Sequence, residues 1–313
     1  MGVDLKGRSL LTLLELTSEE IRHLLDLARV CKRERAKGVR GRRFLGKSLA
    51  MIFEKTSTRT RCAFEAAFSE EGGHPIFLNK NDIQLGEKET VEDTARVLGR
   101  MCDAIQFRGY RQESVEKLAA FSGVPVYNGL TDLHHPTQAL ADLMTVEEEL
   151  GRLTGARLVF VGDGRNNVAR SLLVACAKLG LHFVITAPRE LFLDQETIRI
   201  CEPLLRESGG SFSMTEDARQ GVKGADAVYT DVWVSMGEEA KLAERLALLA
   251  PYRVTEDLMA ATGNQRAIFL HCLPAVRGNE VTAAVIDGAR SRVWDQAENR
   301  MHTIKALMLA TIR

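Results

Sequence analysis

The chain has 313 residues, 45% of them apolar and 27% charged, with Lys+Arg and Asp+Glu balanced at 42 each. That length suits about two domains of roughly 150 residues, and the neutral balance supplies no global field for nucleic acid or an anionic membrane. Six scattered cysteines without a C-x-x-C pair, an N-terminus lacking a signal-peptide core and the absence of any apolar run of bilayer length read as a reduced, cytoplasmic chain.

Along the chain, Thr17-Ser18-Glu19-Glu20 opens a helix with a capping box, and Ile21, Leu24, Leu25, Leu27 and Ala28 continue it to about residue 36. Ser48-Leu49-Ala50-Met51-Ile52-Phe53 reads as a buried strand, followed from Thr58 by a helix with Phe64, Ala67 and Phe68 on one face. Strands near 75–78, 104–107 and 124–127 alternate with helices at 90–101 and 113–121. A longer helix runs from about 136 to 150, and the alternation restarts with strands at 158–161, 183–185, 227–230 and 268–270 and helices at 168–179, 196–207 and 239–249. Alternating strands and helices imply parallel sheets of βαβ units. The expected fold is α/β, two doubly wound parallel-sheet domains joined by interdomain helices. The boundary is expected near 135–151, with 136–150 as the bridging helix.

The run Ser57-Thr58-Arg59-Thr60-Arg61 falls at a predicted helix N-terminus. Free N–H groups and the dipole favour an anion there, and guanidiniums add bidentate donors suited to phosphate. Taken alone, a Ser/Thr cap with solvated arginines would explain it as well. The other polar residues of note also follow predicted strands, where ligands bind in open parallel sheets. Arg108 follows 104–107, and His135-Pro136-Thr137-Gln138 comes shortly after 124–127. Asp163, Asn166 and Asn167 follow 158–161, Asp231 follows 227–230, and His271-Cys272-Leu273-Pro274 follows 268–270. Each has a mundane alternative singly; a shared sheet edge makes a site the better explanation. Val161-Gly162-Asp163-Gly164-Arg165-Asn166-Asn167 is a weak dinucleotide motif, because the third glycine is absent and the next strand ends in Thr186-Ala187-Pro188. It supports only a rival reading as a nucleotide- or metabolite-binding module. Neither a P-loop nor a metal-type His pair occurs. Cys272 is either a reactive thiol or an inert one at a strand end.

Ser57-Thr58-Arg59-Thr60-Arg61, His135-Pro136-Thr137-Gln138, Asp231-Val232-Trp233-Val234-Ser235-Met236-Gly237 and His271-Cys272-Leu273-Pro274 together resemble the signature segments of the ornithine carbamoyltransferases, in order and spacing. The likeness extends through Glu298-Asn299-Arg300. The first two segments are shared with aspartate carbamoyltransferases; the S-M-G segment and the cysteine point to ornithine.

The resemblance implies a carbamoyl-phosphate domain (1–135, with a C-terminal helix of about 299–313 packing back on it) and an ornithine domain (151–298). It implies that Ser57, Thr58, Arg59 and Thr60 hold the phosphate and that Arg108 bridges its phosphate and carbonyl sides. His135 would donate to the carbonyl oxygen, with Arg59, Thr60 and Arg108 stabilising the tetrahedral oxyanion. Gln138 and the carbonyls of Cys272 and Leu273 would accept from the carbamoyl NH2, and Arg300 would complete that pocket. Gln84 would approach the site of a neighbouring subunit in a homotrimer. Asn167, Asp231, Ser235 and Met236 would hold the amino-acid end of ornithine, Asp231 pairing with its α-ammonium. Cys272 would sit beside the δ-amine, orienting it or accepting its proton. The implied reaction yields citrulline and phosphate, needs no metal or other cofactor, and most simply serves arginine biosynthesis.

Overall fold

The computed structural model describes residues 2–83, 88–234 and 242–313. Two compact units are present: Met1–Ala141 with Glu298–Arg313, and Asp142–Ala297.

The first unit carries a four-stranded parallel sheet of β1 (Ser48–Phe53), β2 (His74–Asn79), β3 (Ala104–Arg108) and β4 (Val126–Leu130), in the order β2-β1-β3-β4. Its helices are α1 (Ser18–Ala36), α2 (Thr58–Ser69), α3 (Val91–Met101), α4 (Gln112–Ser122) and the start of α5 (Pro136–Leu150). The capping box at Thr17 is present in full, with the Thr17 side chain accepting from Glu20 N and the Glu20 side chain accepting from Thr17 N. β1 and β3 are buried along almost their whole length, as expected of strands with covered faces. Ala50, Ile52, Ile105, Phe107, Val115, Leu118 and Val126 form a core around them.

The chain leaves β1 for β2 on one side and returns to β3 on the other. The strand order therefore reverses between β1 and β3, and a parallel sheet opens a crevice beyond the carboxyl ends at such a point. β1 runs into the Ser57 cap of α2, and β3 ends on Arg108. On the other side of β3 the register to β4 slips, Phe107 pairing with Asn128 but Arg108 with Leu130, which leaves Gly129 as an extra residue. A Cβ on Gly129 would lie 2.5 Å from Gln106 Nε2 and 3.1 Å from both Phe107 O and the Thr60 methyl, so a side chain there would have to displace Gln106 and crowd Thr60.

The second unit carries a five-stranded parallel sheet of β5 (Arg157–Val161), β6 (His182–Thr186), β7 (Ser211–Thr215), β8 (Ala227–Thr230) and β9 (Ile268–His271), ordered β7-β6-β5-β8-β9. Its principal helices are α6 (Asn167–Leu179), α7 (Gln195–Ser208) and α9 (Leu242–Leu249). The short α8 (Ala218–Gly221), α10 (Glu256–Ala261) and α11 (Ala283–Ile286) lie among them, and α12 (Val293–Thr311) begins here. The strand order reverses between β5 and β8. β5 leads into the Gly162–Asn167 turn and β8 into Asp231. β7 has no counterpart in the sequence reading: it is a half-exposed edge strand, Ser-Phe-Ser-Met-Thr, with too few apolar residues to stand out. The division between the units falls inside α5 and α12, and α12 begins at Val293, ahead of the predicted start. Among the described residues no helix is long and apolar enough to cross a membrane.

Candidate active site residues

At the β1/β3 switch point of the first unit, Ser57 has extended backbone (φ −163°, ψ 125°) and its side chain accepts the Thr60 N–H at 3.1 Å, so the predicted cap is real. Thr60 is fully buried one turn into α2. Its hydroxyl oxygen accepts from Arg108 Nη1 at 3.2 Å and from Arg300 Nη2 at 2.9 Å. Two buried guanidiniums from distant parts of the chain thus share one neutral acceptor beside a helix N-terminus. Thr58 is exposed and Arg59 half-buried at the start of the same helix.

His135 directly precedes α5, and its carbonyl accepts the N–H groups of Gln138 (3.1 Å) and Ala139 (3.2 Å). The approach loop is tied down from within: Thr131 Oγ1 donates to Gln112 Oε1 at 2.6 Å, and Thr131 N–H to His134 O at 2.9 Å. Burial, followed by the charges of Arg300, Arg108 and Arg59, holds the His135 imidazole well below its usual range. A ring that stays neutral at pH 7 donates one N–H without adding a cation. Lys55 is pushed down too, by burial and then by Arg108. The region repels protons, and an anion would relieve it.

At the β5/β8 switch point of the second unit the character inverts. Asp231 Oδ2 accepts from Asn166 Nδ2 at 2.8 Å, and its Oδ1 accepts from Val232 N–H at 2.8 Å and from the Cys272 thiol at 2.9 Å. Asn166 also caps α6, its Oδ1 accepting the Val168 N–H at 2.6 Å. Asn166 thus supports Asp231 from the cap of α6, a contact the sequence pattern does not single out, and Asn167, expected at the amino-acid end of ornithine, is the first residue of α6. Gly162 between them and β5 has φ +131°, where a side chain would be strained. Tyr229, fully buried on β8, has its hydroxyl pushed well above the usual range by burial and then by Asp142, Cys272 and Asp231.

The H-C-L-P segment leaves β9 with Leu273 at φ +60°, the only non-glycine residue at positive φ among the described residues, ahead of a cis Leu273–Pro274 bond. An L-residue there costs roughly 1–2 kcal/mol, which the surroundings must offset. They do so through His271 and Glu280, both fully buried: Leu273 N–H donates to His271 Nδ1 at 2.8 Å, and His271 Nε2 lies 3.1 Å from Glu280 Oε1. Sequence reasoning missed Glu280, because nothing in its local pattern marks a buried carboxyl. Asp231, His271 and Cys272 bring three potential ligand atoms within 4.8 Å of one another. Nδ1 of His271 already serves Leu273 and Nε2 faces Glu280, so ligation by this imidazole would break one of those contacts.

The predicted set thus falls into two groups. Ser57, Thr60, Arg108 and Arg300 come together in the first unit, with the charge of Arg59 felt at His135 and with Gln138, almost fully buried, one turn beyond it. Asp231 and Cys272 come together in the second, joined by Asn166. Gln84, Ser235 and Met236 lie outside the described residues.

Comparison with known proteins divides the chain along similar lines. Residues 8–148 match the family model described as "Aspartate/ornithine carbamoyltransferase, carbamoyl-P binding domain", and residues 154–311 match "Aspartate/ornithine carbamoyltransferase, Asp/Orn binding domain". An ornithine carbamoyltransferase of Thermotoga maritima is 63% identical over 312 residues, covering 100% of both chains. A protein of Bacillus licheniformis named "Ornithine carbamoyltransferase, catabolic" is 54% identical, covering 99% of this chain and 98% of its own. The solved ornithine carbamoyltransferase of Pyrococcus furiosus superposes with a TM-score of 0.96 at 48% identity, covering 99% of each chain.

Proposed function

Because the chain belongs to the aspartate/ornithine carbamoyltransferase family, we propose that it transfers the carbamoyl group of carbamoyl phosphate to the δ-amine of L-ornithine, giving L-citrulline and phosphate. The observation that carries this reading is the meeting of Arg108 and Arg300 on the buried Thr60 hydroxyl at the N-terminus of α2. Fixed donors already in place cost no reorganisation when negative charge develops, and this is how acyl-type transfers are accelerated.

In this reading Ser57, Thr58, Arg59 and Thr60 hold the phosphate, and Arg108 spans phosphate and carbonyl. His135, neutral for the reasons given, donates to the carbonyl oxygen as it becomes an oxyanion. Gln138, Arg300 and the carbonyls of Cys272 and Leu273 surround the rest of the carbamoyl group. Asp231 takes the α-ammonium of ornithine with Asn167, Ser235 and Met236, and Asn166 holds its carboxylate in place. The attacking amine must be unprotonated, because an alkylammonium has no lone pair and a pKa of about 10 in water. The Cys272 thiol already donates its proton to Asp231, so its sulfur offers lone pairs to the amine, and Cys272 is assigned to orientation. The C–N bond forms to give the tetrahedral intermediate, and when its C–O bond to phosphate breaks, the departing phosphate oxygen takes the electron pair and the proton released by the attacking nitrogen. Exchange of a mixed anhydride for a resonance-stabilised ureido group runs downhill towards citrulline, and arginine biosynthesis is the role we assign to it.

An aspartate-type acceptor would call for cationic groups along Asp231-Val232-Trp233-Val234-Ser235-Met236-Gly237, and that segment has no Lys or Arg. Six free cysteines fit a reducing, cytoplasmic compartment. A homotrimer with Gln84 reaching a neighbouring site completes the proposal; light scattering would test the assembly. The reaction is tested by product formation from carbamoyl phosphate with ornithine, putrescine, N-acetylornithine or aspartate in parallel. Citrulline from ornithine alone is expected. Turnover with another amine would retain the carbamoyl-phosphate half and discard the ornithine half.

A further inference from the structure

We propose that His271 is a positioning residue for the transfer: its Nδ1, by accepting the Leu273 N–H, aims the Cys272 carbonyl and holds the H-C-L-P turn in its working shape. The role rests on the carbamoyl-transfer reading above, in which the Cys272 and Leu273 carbonyls receive the carbamoyl NH2.

A backbone N–H can only donate. The 2.8 Å contact from Leu273 N therefore requires the lone pair on His271 Nδ1, which puts the ring proton on Nε2, aimed at Glu280 Oε1 3.1 Å away. Glu280 Oε1 also accepts the Val276 N–H at 2.6 Å, so one buried carboxyl fixes both the tautomer and the far end of the turn. On its other side, the His271 N–H donates to Gln296 Oε1 at 2.9 Å. Gln296 Nε2 in turn donates to Asp142 Oδ1 at 2.6 Å and to Tyr229 Oη at 3.1 Å. His271, Glu280, Gln296, Asp142 and Tyr229 are all essentially excluded from solvent, so each bond is hard to replace with water.

The geometric consequence follows from the planar trans peptide. Cys272 C=O and Leu273 N–H belong to one peptide unit and point in opposite directions. Binding the N–H to the buried ring directs the carbonyl away from His271. The same bond holds Leu273 at its positive φ, and so sets the direction of the next carbonyl. The thiol of Cys272, bonded to Asp231 Oδ1, takes no part in the bonds to the ring. His271 thus acts through the backbone, not by relaying a proton.

The test compares steady-state kinetics of the full chain with His271→Ala, His271→Gln and His271→Asn. Asn places an acceptor oxygen where Nδ1 stands, whereas Gln places its amide towards Glu280 and leaves Leu273 N–H unbonded. We expect kcat to fall on the order of 10²-fold in the Ala and Gln variants, as for misplacement of a reacting group by about 1 Å. Most of it should return in the Asn variant, with the shape of the pH–kcat profile unchanged in all three. An Asn variant as impaired as Ala, wild-type kcat in the Ala variant, or loss of one limb of the pH profile would each overturn the proposal. Nitrogen-15 NMR of the histidine-labelled wild type gives an independent reading if a variant does not fold. Nδ1 of His271 should appear as the unprotonated nitrogen, and the opposite tautomer would overturn the proposal by itself. Absence of citrulline formation by the wild type would remove the parent reading and this role with it, an outcome distinct from active wild type with equal Asn and Ala variants.

Discussion

The two switch points use one backbone device for opposite charges. In the first unit, β1 and β3 deliver a helix N-terminus, Arg108 and, through α12, Arg300; titratable groups there are pushed towards losing protons, as at His135 and Lys55. In the second, β5 and β8 deliver Asn166 and Asp231, with Cys272 from the neighbouring β9, and Tyr229 is pushed towards keeping its proton. A parallel sheet supplies a crevice without specifying its charge. The few residues just beyond the strand ends decide whether that crevice suits a phosphate or an ammonium.

If that contrast is right, the largest effects should come from removing cations in the first unit. Arg59→Ala or Arg108→Ala should lower kcat/KM for citrulline formation by about 10³-fold, the scale of losing an oxyanion-stabilising donor. Normal activity in both would abolish the comparison. Asp231→Asn should act on one side alone. The kcat/KM for ornithine is expected to fall by about 10–10²-fold, as for a lost charge-assisted bond, while carbamoyl phosphate binding measured by calorimetry stays unchanged. Weakened binding of carbamoyl phosphate would mean that the halves are not chemically separate. Thr60→Val removes the acceptor shared by Arg108 and Arg300 while keeping the side-chain shape. It should cost about tenfold in kcat/KM, and no loss would show that the two guanidiniums hold their positions unaided.

Smaller effects should appear in stability. Ser57→Ala is expected to cost about 1 kcal/mol in urea unfolding through the lost cap. The depressed His135 adds a pH dependence with a definite sign. Between its usual value of 6.5 and its lower folded value, the unfolded chain binds a proton that the folded chain refuses, so stability falls as pH drops. Above 6.5 the group contributes no slope. His302, lowered mainly by burial against an opposing pull from Glu298, acts in the same direction. Urea midpoints should therefore decline from pH 7.5 to 5.5, and His135→Gln should flatten that decline. An unchanged slope would assign it to other groups.

Local chemistry was legible in the sequence wherever neighbours along the chain decide it. Alternating apolar runs announced the βαβ units, the hydroxyl at Ser57 announced a helix cap, and polar residues after strands announced the sheet edges. The motifs also carried the family. Long-range choices were not legible. Nothing in the local pattern near residue 300 states that Arg300 will bond to Thr60, 240 residues away in sequence, beside Arg108; the packing of α12 in the first unit decides that. That the cap of α6 turns the amide of Asn166 onto Asp231, 65 residues further on, is likewise decided by packing. Glu280 looks like any surface glutamate until the turn after β9 buries it against His271, fixing a ring proton and a carbonyl direction together. Periodicity and capping act over one or two turns, so sequence alone determined most elements and their caps, though not the polar edge strand β7 or the start of α12. Strand order, burial and hydrogen-bond partners across the sheet arise only when those elements pack, and they decide which charges meet.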